Sequence, residues 1–375
     1  MAKPKIVRIQ DLLGLLNAHA PPVLAEEWDN VGLQVGDPAA EVRRVLVALD
    51  ATEATVAAAL AAGAEALVCH HPLLFRPLRQ VSVADETGRI VTTALRGGLS
   101  ILAAHTNLDR AADGLNDWLA ARLGLQATTP LEAPEGLLFK LVVFVPASHE
   151  KVVTEALFAA GAGDVGGYDH CAFRSHGSGS FRPGAGTQPF VGQIGETTTV
   201  DEVRIETLVP KEALSRVVNR MLKAHPYEEV AYDLLPLANS RSDVGLGRIG
   251  CLPGATSLGE FSAMVKRALG TPYLRQVGDV GRHVEKVAVC GGSGASLLAA
   301  AARQGADVLV TGDVGYHDAR RAESLGVALL DAGHFATEQI MIEGLAQRLA
   351  QQAAQRGLSL DIHPFVGETD PLQTV

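Results

Sequence analysis

The chain has 375 residues, 47% hydrophobic and 20% charged, with 39 Gly and 18 Pro, which excludes a disordered, collagen-like or coiled-coil protein and leaves room for more than one domain. Basic residues number 32 against 42 acidic, a formal charge of −10, and aromatics are 5%; this argues against a general nucleic-acid binder or a base-stacking surface, though not against a local basic pocket. Cys69, Cys171, Cys251 and Cys290 stand far apart with no C-x-x-C pair, a spacing that suits a reducing cytosol rather than a disulfide framework or zinc knuckle.

The N-terminal stretch MAKPKIVRIQDLLGLLNAHAPP holds too short an apolar run for a signal peptide. No stretch reaches the ~20 apolar residues of a membrane span. The expectation is a cytoplasmic protein with no membrane partner. RRVLVALDAT (43–52) reads as a strand and EATVAAALAAG (53–63) as a helix closed by Gly63. ALVCHHP (66–72) and SILAAHTNLD (100–109) read as further strands, and ADGLNDWLAARLG (112–124) as a helix. The middle of the chain opens with strand LLFKLVVFVP and helix SHEKVVTEALFAAG. The glycine-rich run 161–195 follows, which is expected to be neither helix nor strand. Strand VDEVRIETLVP, helix KEALSRVVNRMLKA and strand EEVAYDLLPL complete two strand–helix–strand units suited to a small antiparallel sheet.

The last third returns to alternation: strand EKVAVCGGSG, helix ASLLAAAARQG, strand ADVLVTGD, helix YHDARRAESLG, strand VALLDAG and helix FATEQIMIEGLAQRLAQQAAQRG. Such a rhythm implies a largely parallel sheet covered by helices. The predicted fold class is α/β: a discontinuous α/β core, residues 1–130 and 246–375, interrupted by a small α+β domain at 131–245.

Histidines gather at strand ends, where ligands bind in open α/β sheets: His70 and His71, then His105 with Asp109, then His317, His334 and Glu338. Neighbouring strand residues point to opposite faces, so His70 and His71 would reach two different ions of a binuclear centre, or else mark a polar turn. His334 and Glu338, at i and i+4 on a predicted helix, share one face and suit either a metal site or a solvated hydrogen-bonded pair. Asp109 reads as a second carboxylate ligand or as a turn residue. His70, His71, Asp109, His334 and Glu338 together form a nitrogen–oxygen set suited to Zn, Fe, Mn, Co or Ni. His105 and His317 read as acid/base or ligand-orienting groups, or as packed turn histidines, and Cys69 as a buried small hydrophobe. CGGSGAS (290–296) joins strand to helix; its amides could cradle an anion, but it lacks the dinucleotide and P-loop fingerprints and reads best as a tight turn. No G-x-S-x-G elbow is present.

EEWDNVGLQVG (26–36), VCHHPLLF (68–75), HTNLD (105–109), ADVLVTGDVGYHDA (306–319) and LLDAGHFATE (329–338) resemble the NGG-one interacting factor three family, whose bacterial members are often labelled GTP cyclohydrolase I type 2 homologs. GAGDVGGYDHCAF, GSFRPGAGTQP and HPYEEVAYDLLPL resemble its longer members, which carry a PII/CutA-like insert. The resemblance implies two divalent metal ions per chain. One would be held by His70 and Asp109, the other by His71 and His334, with Glu338 bridging. It also implies a toroidal homohexamer of two stacked trimers. Arg110 departs from the small residue common after HTNLD. Two functions follow as expectations. One is a metal-dependent hydrolase opening the guanine ring of a nucleotide at C8, with His105 or His317 moving protons and Arg76, Arg79 or Arg110 meeting phosphate. The other is a metal-binding, metal-delivery or regulatory factor without turnover.

Overall fold

The computed structural model describes residues 6–373. Two compact units emerge: one runs to Ala133 and resumes at Asp243, and the other is Pro134–Ser242. The first unit opens with α1 (Ile9–His19), β1 (Gly32–Val35), β2 (Arg44–Ala48), α2 (Glu53–Ala61), β3 (Ala66–Cys69) and α3 (Glu86–Arg96). It continues through β4 (Ser100–Ala103), α4 (Thr106–Arg110), α5 (Leu115–Arg122) and β5 (Gln126–Glu132). The second unit holds β6 (Leu138–Pro146), α6 (Glu150–Ala159), β7 (Ala172–Phe181), β8 (Thr198–Pro210), α7 (Leu214–Ala224) and β9 (Tyr232–Leu237). The first unit resumes with β10 (Leu246–Ser257), α8 (Leu258–Leu269), β11 (Arg275–Val277), β12 (His283–Val289), α9 (Leu298–Arg303) and β13 (Val308–Thr311). It closes with α10 (Tyr316–Leu325), β14 (Ala328–Asp331), α11 (His334–Glu338), α12 (Ile340–Gln355) and β15 (Asp361–Pro364).

Local chemistry sets these boundaries. Thr52 caps α2 by accepting from Thr55 N, and Ser257 and Glu260 form a reciprocal cap on α8, which Gly270 ends in the left-handed conformation. No helix among the described residues is long and apolar enough to cross a membrane.

The first unit contains two mixed sheets rather than the one expected. Their orders are β1-β4-β3-β2-β15 and β11-β14-β13-β12-β10-β5. In the first, β15, β2, β3 and β4 run parallel and β1 antiparallel. In the second, β12, β13 and β14 are parallel, flanked by antiparallel β11, β10 and β5. Val45–Ala48, Ala66–Cys69 and Val308–Thr311 are buried throughout, as parallel strands covered on both faces require.

Four sequence expectations need correction. SILAAHTNLD is a strand only to Ala103; residues 106–110 form α4, so Asp109 rides on a helix. The glycine-rich run contains β7, ten residues long, because the glycines lie in a pleated edge strand paired with β8. The last predicted helix is two, α11 and α12. Residues 131–133 and 243–245 lie with the core, because β5 extends to Glu132 and pairs antiparallel with β10.

The second unit is a β-α-β-β-α-β sheet of order β7-β8-β6-β9, antiparallel throughout. Alternate residues Leu141, Val143, Val145, Val203, Ile205 and Val209 pack with α6 and α7 residues into one core. Even-numbered positions such as Phe144 and Glu202 take the opposite face.

One buried cation locks the first unit. Arg248 on β10 is 2% exposed. Its Nε and Nη2 donate to the two oxygens of Asp117 at 2.6 and 2.8 Å, Nη2 also to Ala111 O, and Nη1 to Gly245 O and Gly247 O. Every donor of the guanidinium is used, and the α4–α5 connection is held to β10. Arg248→Ala should lower unfolding free energy by about 3–5 kcal/mol, since it leaves Asp117 without its counter-ion and three carbonyls without this donor. Chemical denaturation checks this; an unchanged midpoint would remove the clasp from the account.

Candidate metal centre

The carboxyl ends of the parallel strands deliver the predicted ligands to one place. Beyond β3, His70 N and His71 N both donate to Leu49 O, at 3.1 and 3.0 Å. This backbone bend brings the two imidazoles to a centroid separation of 5.1 Å with planes inclined 48°, so they share one space instead of opposite sheet faces. Asp109 comes from α4 after β4, and His334 and Glu338 from α11 after β14.

Each imidazole is oriented from outside the cluster. His70 Nδ1–H donates to Ala104 O at 2.8 Å, His71 Nδ1–H to Asp50 at 2.8 Å, and His334 Nδ1–H to Asp313 at 2.6 Å. All three Nε2 atoms therefore face inward. Glu338 lies between them: Oε1 is 3.7 Å from His70 Nε2, and Oε2 is 3.0 Å from both His71 Nε2 and His334 Nε2. Asp109 Oδ1 is 3.6 Å from His70 Nε2, and the Nε2 atoms of His71 and His334 are 3.3 Å apart.

The 3.0–3.3 Å separations among His71, His334 and Glu338 fit a shared ion, and the 3.6 and 3.7 Å separations from His70 to Asp109 and Glu338 are somewhat wider. Two ligands each ~2.1 Å from one metal stand about 3.0–3.4 Å apart in tetrahedral or octahedral geometry. His70 Nε2, Asp109 Oδ1 and Glu338 Oε2 are buried with no hydrogen bond of acceptable geometry, an arrangement costly in its own right. Divalent cations within the cluster would satisfy all three. The donors form two groupings of ion-sized span, His71–His334–Glu338 and His70–His71–His105.

His105 thus joins the cluster, its ring 5.2 Å from that of His70. Its Nδ1–H donates to Asp29 at 2.9 Å, and Asp29 also accepts from Thr106 N and, more closely, from Thr106 Oγ1. Burial would raise the Asp29 pKa, but the bonds from His105 and Thr106 hold it at about 2. His317 is exposed on α10, its ring against Tyr316, and is not brought to the cluster. Arg110 is paired with Glu26 at 2.5 Å, and Arg76 and Arg79 are exposed. Cys69 is fully buried in β3.

Sequence reasoning missed the orienting carboxylates Asp29, Asp50 and Asp313. Their signals were present in EEWDN, VALDAT and VTGDVG, each with an Asp in a segment carrying a site or at a strand end. Asp313 sits at φ 54°, a left-handed conformation that Asp tolerates better than most residues. The CGGSGAS amides do not form an open anion cradle: Gly291, Gly292 and Gly294 N donate to Asn116, Thr337 and Thr311. The glycines instead make room. A Cβ on Gly292 (φ +58°) would lie 2.1 Å from Glu338 Oε1. Asn116 also donates to Asp109 O, joining this turn to the candidate ligand on α4.

Asp50, His71, Asp313, Asp331, His334 and Asp370 line part of a cleft of about 540 Å³, which also includes Tyr273 and Arg275. Arg275 is paired with Asp331.

The charges are strongly coupled. Burial would depress His71, but its hydrogen bond to Asp50 and the Glu338 carboxylate 3.0 Å away raise its pKa to about 10. The Glu338 carboxylate 3.0 Å away chiefly, opposed by burial, lifts His334 to about 9. Burial and the Glu338 carboxylate, against the pull of His70 and His71, push Asp109 up to about 7. Glu338 would itself be raised by burial, yet the surrounding histidines hold it well below the usual carboxylate range.

These directions fix a sign. Without metal, His71 and His334 keep their protons up to about pH 10 and 9, so an incoming cation must displace them. Metal binding at pH 7 should release protons, and affinity should rise with pH up to that range. Calorimetry in buffers of different ionisation enthalpy checks this; a heat independent of buffer would contradict it. Gly292→Ala should leave a folded protein with much weaker metal binding, because the added methyl displaces Glu338; elemental analysis beside circular dichroism reads both, and full metal content would contradict the assigned role of Glu338.

A model of the family described as Duf34/NIF3 (NGG1p interacting factor 3) matches residues 7–371. The chain is 43% identical over 372 residues to a protein of Halalkalibacterium halodurans named "GTP cyclohydrolase 1 type 2 homolog", covering 98% of this chain and 99% of that one. It is 42% identical to the Bacillus subtilis protein of the same name, covering 98% of each. Among solved structures, a Bacillus cereus protein related to NIF3 superposes with TM-score 0.89 at 41% identity, covering 99% of this chain and 100% of that one. Staphylococcus aureus SA1388 gives 0.79 at 32% identity, covering 99% of each. With the match spanning both the strands that build the cluster and the residues that form it, the chain belongs to the Duf34/NIF3 family.

Proposed function

We propose that the protein binds two divalent metal ions and hydrolyses a purine nucleotide. The observation that carries this reading is the inward convergence of His70, His71 and His334 Nε2 on the two oxygens of buried Glu338. His70 and Asp109 would hold one ion, His71 and His334 the other, and Glu338 would bridge. Bound there, divalent ions supply a lowered water pKa and a polarised electrophilic carbon at neutral pH.

The chain's own residues do the rest. Asp50, Asp313 and the Ala104 carbonyl keep the ligand imidazoles in the inward tautomer. His105, anchored through Nδ1 to Asp29, presents Nε2 as a base that can take a proton and return it to a leaving group. In a cyclohydrolase, which relatives' names suggest, one water would add at C8 of guanine and open the ring at a C8–N bond, and a second would cleave the remaining C8–N bond, releasing C8 as formate and leaving both nitrogens as amines. The proposal also takes the second unit as a PII/CutA-like insert, supported by its β-α-β-β-α-β order, and the assembly as a toroidal homohexamer of two stacked trimers.

A second reading has an observation of its own. The cleft carries four carboxylates, Asp50, Asp313, Asp331 and Asp370, against one guanidinium, Arg275, whose charge is matched by Asp331. That field favours entry of cations over a triphosphate and suits a metal-binding or metal-delivery factor without turnover.

Incubation of GTP with the Mn²⁺- or Zn²⁺-loaded protein should release formate. His71→Ala should cut the rate by orders of magnitude, and His105→Ala by about 10²–10⁴-fold. Formate release unchanged in His71→Ala would identify a contaminant. No turnover while both ions stay bound would establish the metal-factor reading instead.

A further inference from the structure

The second unit has a site of its own on the sheet face opposite α6 and α7. A pocket of about 340 Å³ opens there, within the size range of small-molecule sites. Its walls include the rings of Phe144, Phe181, Phe190 and Tyr227 and the carboxylate of Glu202. Phe181 and Tyr227 stand edge to face at 5.7 Å, and Phe190 and Tyr227 are tilted at 6.2 Å. Phe190 is 52% exposed, an aromatic held at the surface.

The pocket is built before any ligand arrives. Glu202 Oε1 accepts from Tyr227 O–H at 3.0 Å. Its Oε2 lies against Gly179, where a Cβ would stand 2.1 Å away, so glycine at that strand position is what admits the carboxylate. Burial and the bond to Glu202 raise the Tyr227 hydroxyl well above its usual range, keeping it a donor. The loop carrying Phe190 is pinned by Gln188 N donating to Glu228 at 2.7 Å and Gly195 N to Pro183 O at 2.8 Å.

Charge then selects the ligand. On the same sheet face, Lys140 and Arg204 are both paired with Glu206. Among the described residues no basic side chain pairs with Glu202. Glu228 and Glu229 also line the pocket, against the single guanidinium of Arg182. Aromatic faces grouped around a carboxylate attract an organic cation through ring quadrupoles and direct charge together, and they desolvate an alkylated ammonium at little cost. We propose that the second unit binds a small organic cation, a substituted ammonium with an apolar or aromatic body, between Phe181, Phe190 and Tyr227 and against Glu202.

Benzyltrimethylammonium, benzyl alcohol and benzoate serve as probes of one shape and three charges, titrated into the full chain by NMR or calorimetry. Wild-type protein should bind the cation about five-fold or more tighter than the alcohol, and benzoate weakest. Glu202→Gln should bring cation and alcohol close to parity. Phe190→Ala, at a half-exposed position outside the core of the second unit, should weaken the cation about two- to five-fold, with circular dichroism reading the fold. Benzoate binding as tightly as the cation, a preference unchanged in Glu202→Gln, or no saturable binding of any probe would overturn the proposal. Alcohol and cation binding alike to wild type would do so as well, marking the pocket as apolar only.

Discussion

A carboxylate taken out of water must be paired, and Glu338 is the group whose pairing organises the core unit. It is 4% exposed and its two oxygens face three imidazole nitrogens. Protons alone satisfy this poorly, because the Nε2 atoms of His71 and His334 are 3.3 Å apart and would both have to donate into the same oxygen. A cation shared among these donors would relieve the crowding, with one charge centre in place of several N–H bonds. The raised pKa values of His71 and His334 express the same demand for positive charge in the absence of metal.

The surrounding fold serves that demand by layers. Parallel strands bring His70, His71, His105 and His334 to one end of two sheets, where backbone polar groups are free for turns and ligands. Behind them stands a ring of acceptors, Ala104 O, Asp50, Asp313 and Asp29, that fixes which nitrogen of each imidazole points inward. Behind those, Asn116 bridges Gly291 and Asp109, and Arg248 clamps the connection that carries both. Loss of precision at any layer moves donor atoms relative to one another, which matters more for a metal than for a hydrogen bond because coordination distances are narrower.

Much of this was legible in the sequence, unevenly. The continuous apolar runs VLVA, ALVC and VLVT announce covered parallel strands, and the histidines follow them directly. The pairing of β15 with β2 and of β5 with β10, which splits the expected single sheet into two, was not legible, since sheet partners distant in sequence leave no periodicity. The glycines of β7 read as a loop because propensity is local, whereas their strand state comes from pairing with β8 and from the space Glu202 needs. The five candidate ligand positions stood out because their residue types are specific. Asp50 and Asp313 did not, because an Asp after a strand is common and its role appears only when a histidine from another strand lies at 2.6–2.8 Å.

The most direct test of the central claim is a crystal structure of metal-loaded protein with anomalous data collected at the edges of the candidate metals. The account predicts two anomalous peaks per chain, one between His70 and Asp109 and one between His71 and His334, with Glu338 touching both. A single peak, or peaks at residues outside this cluster, would contradict it.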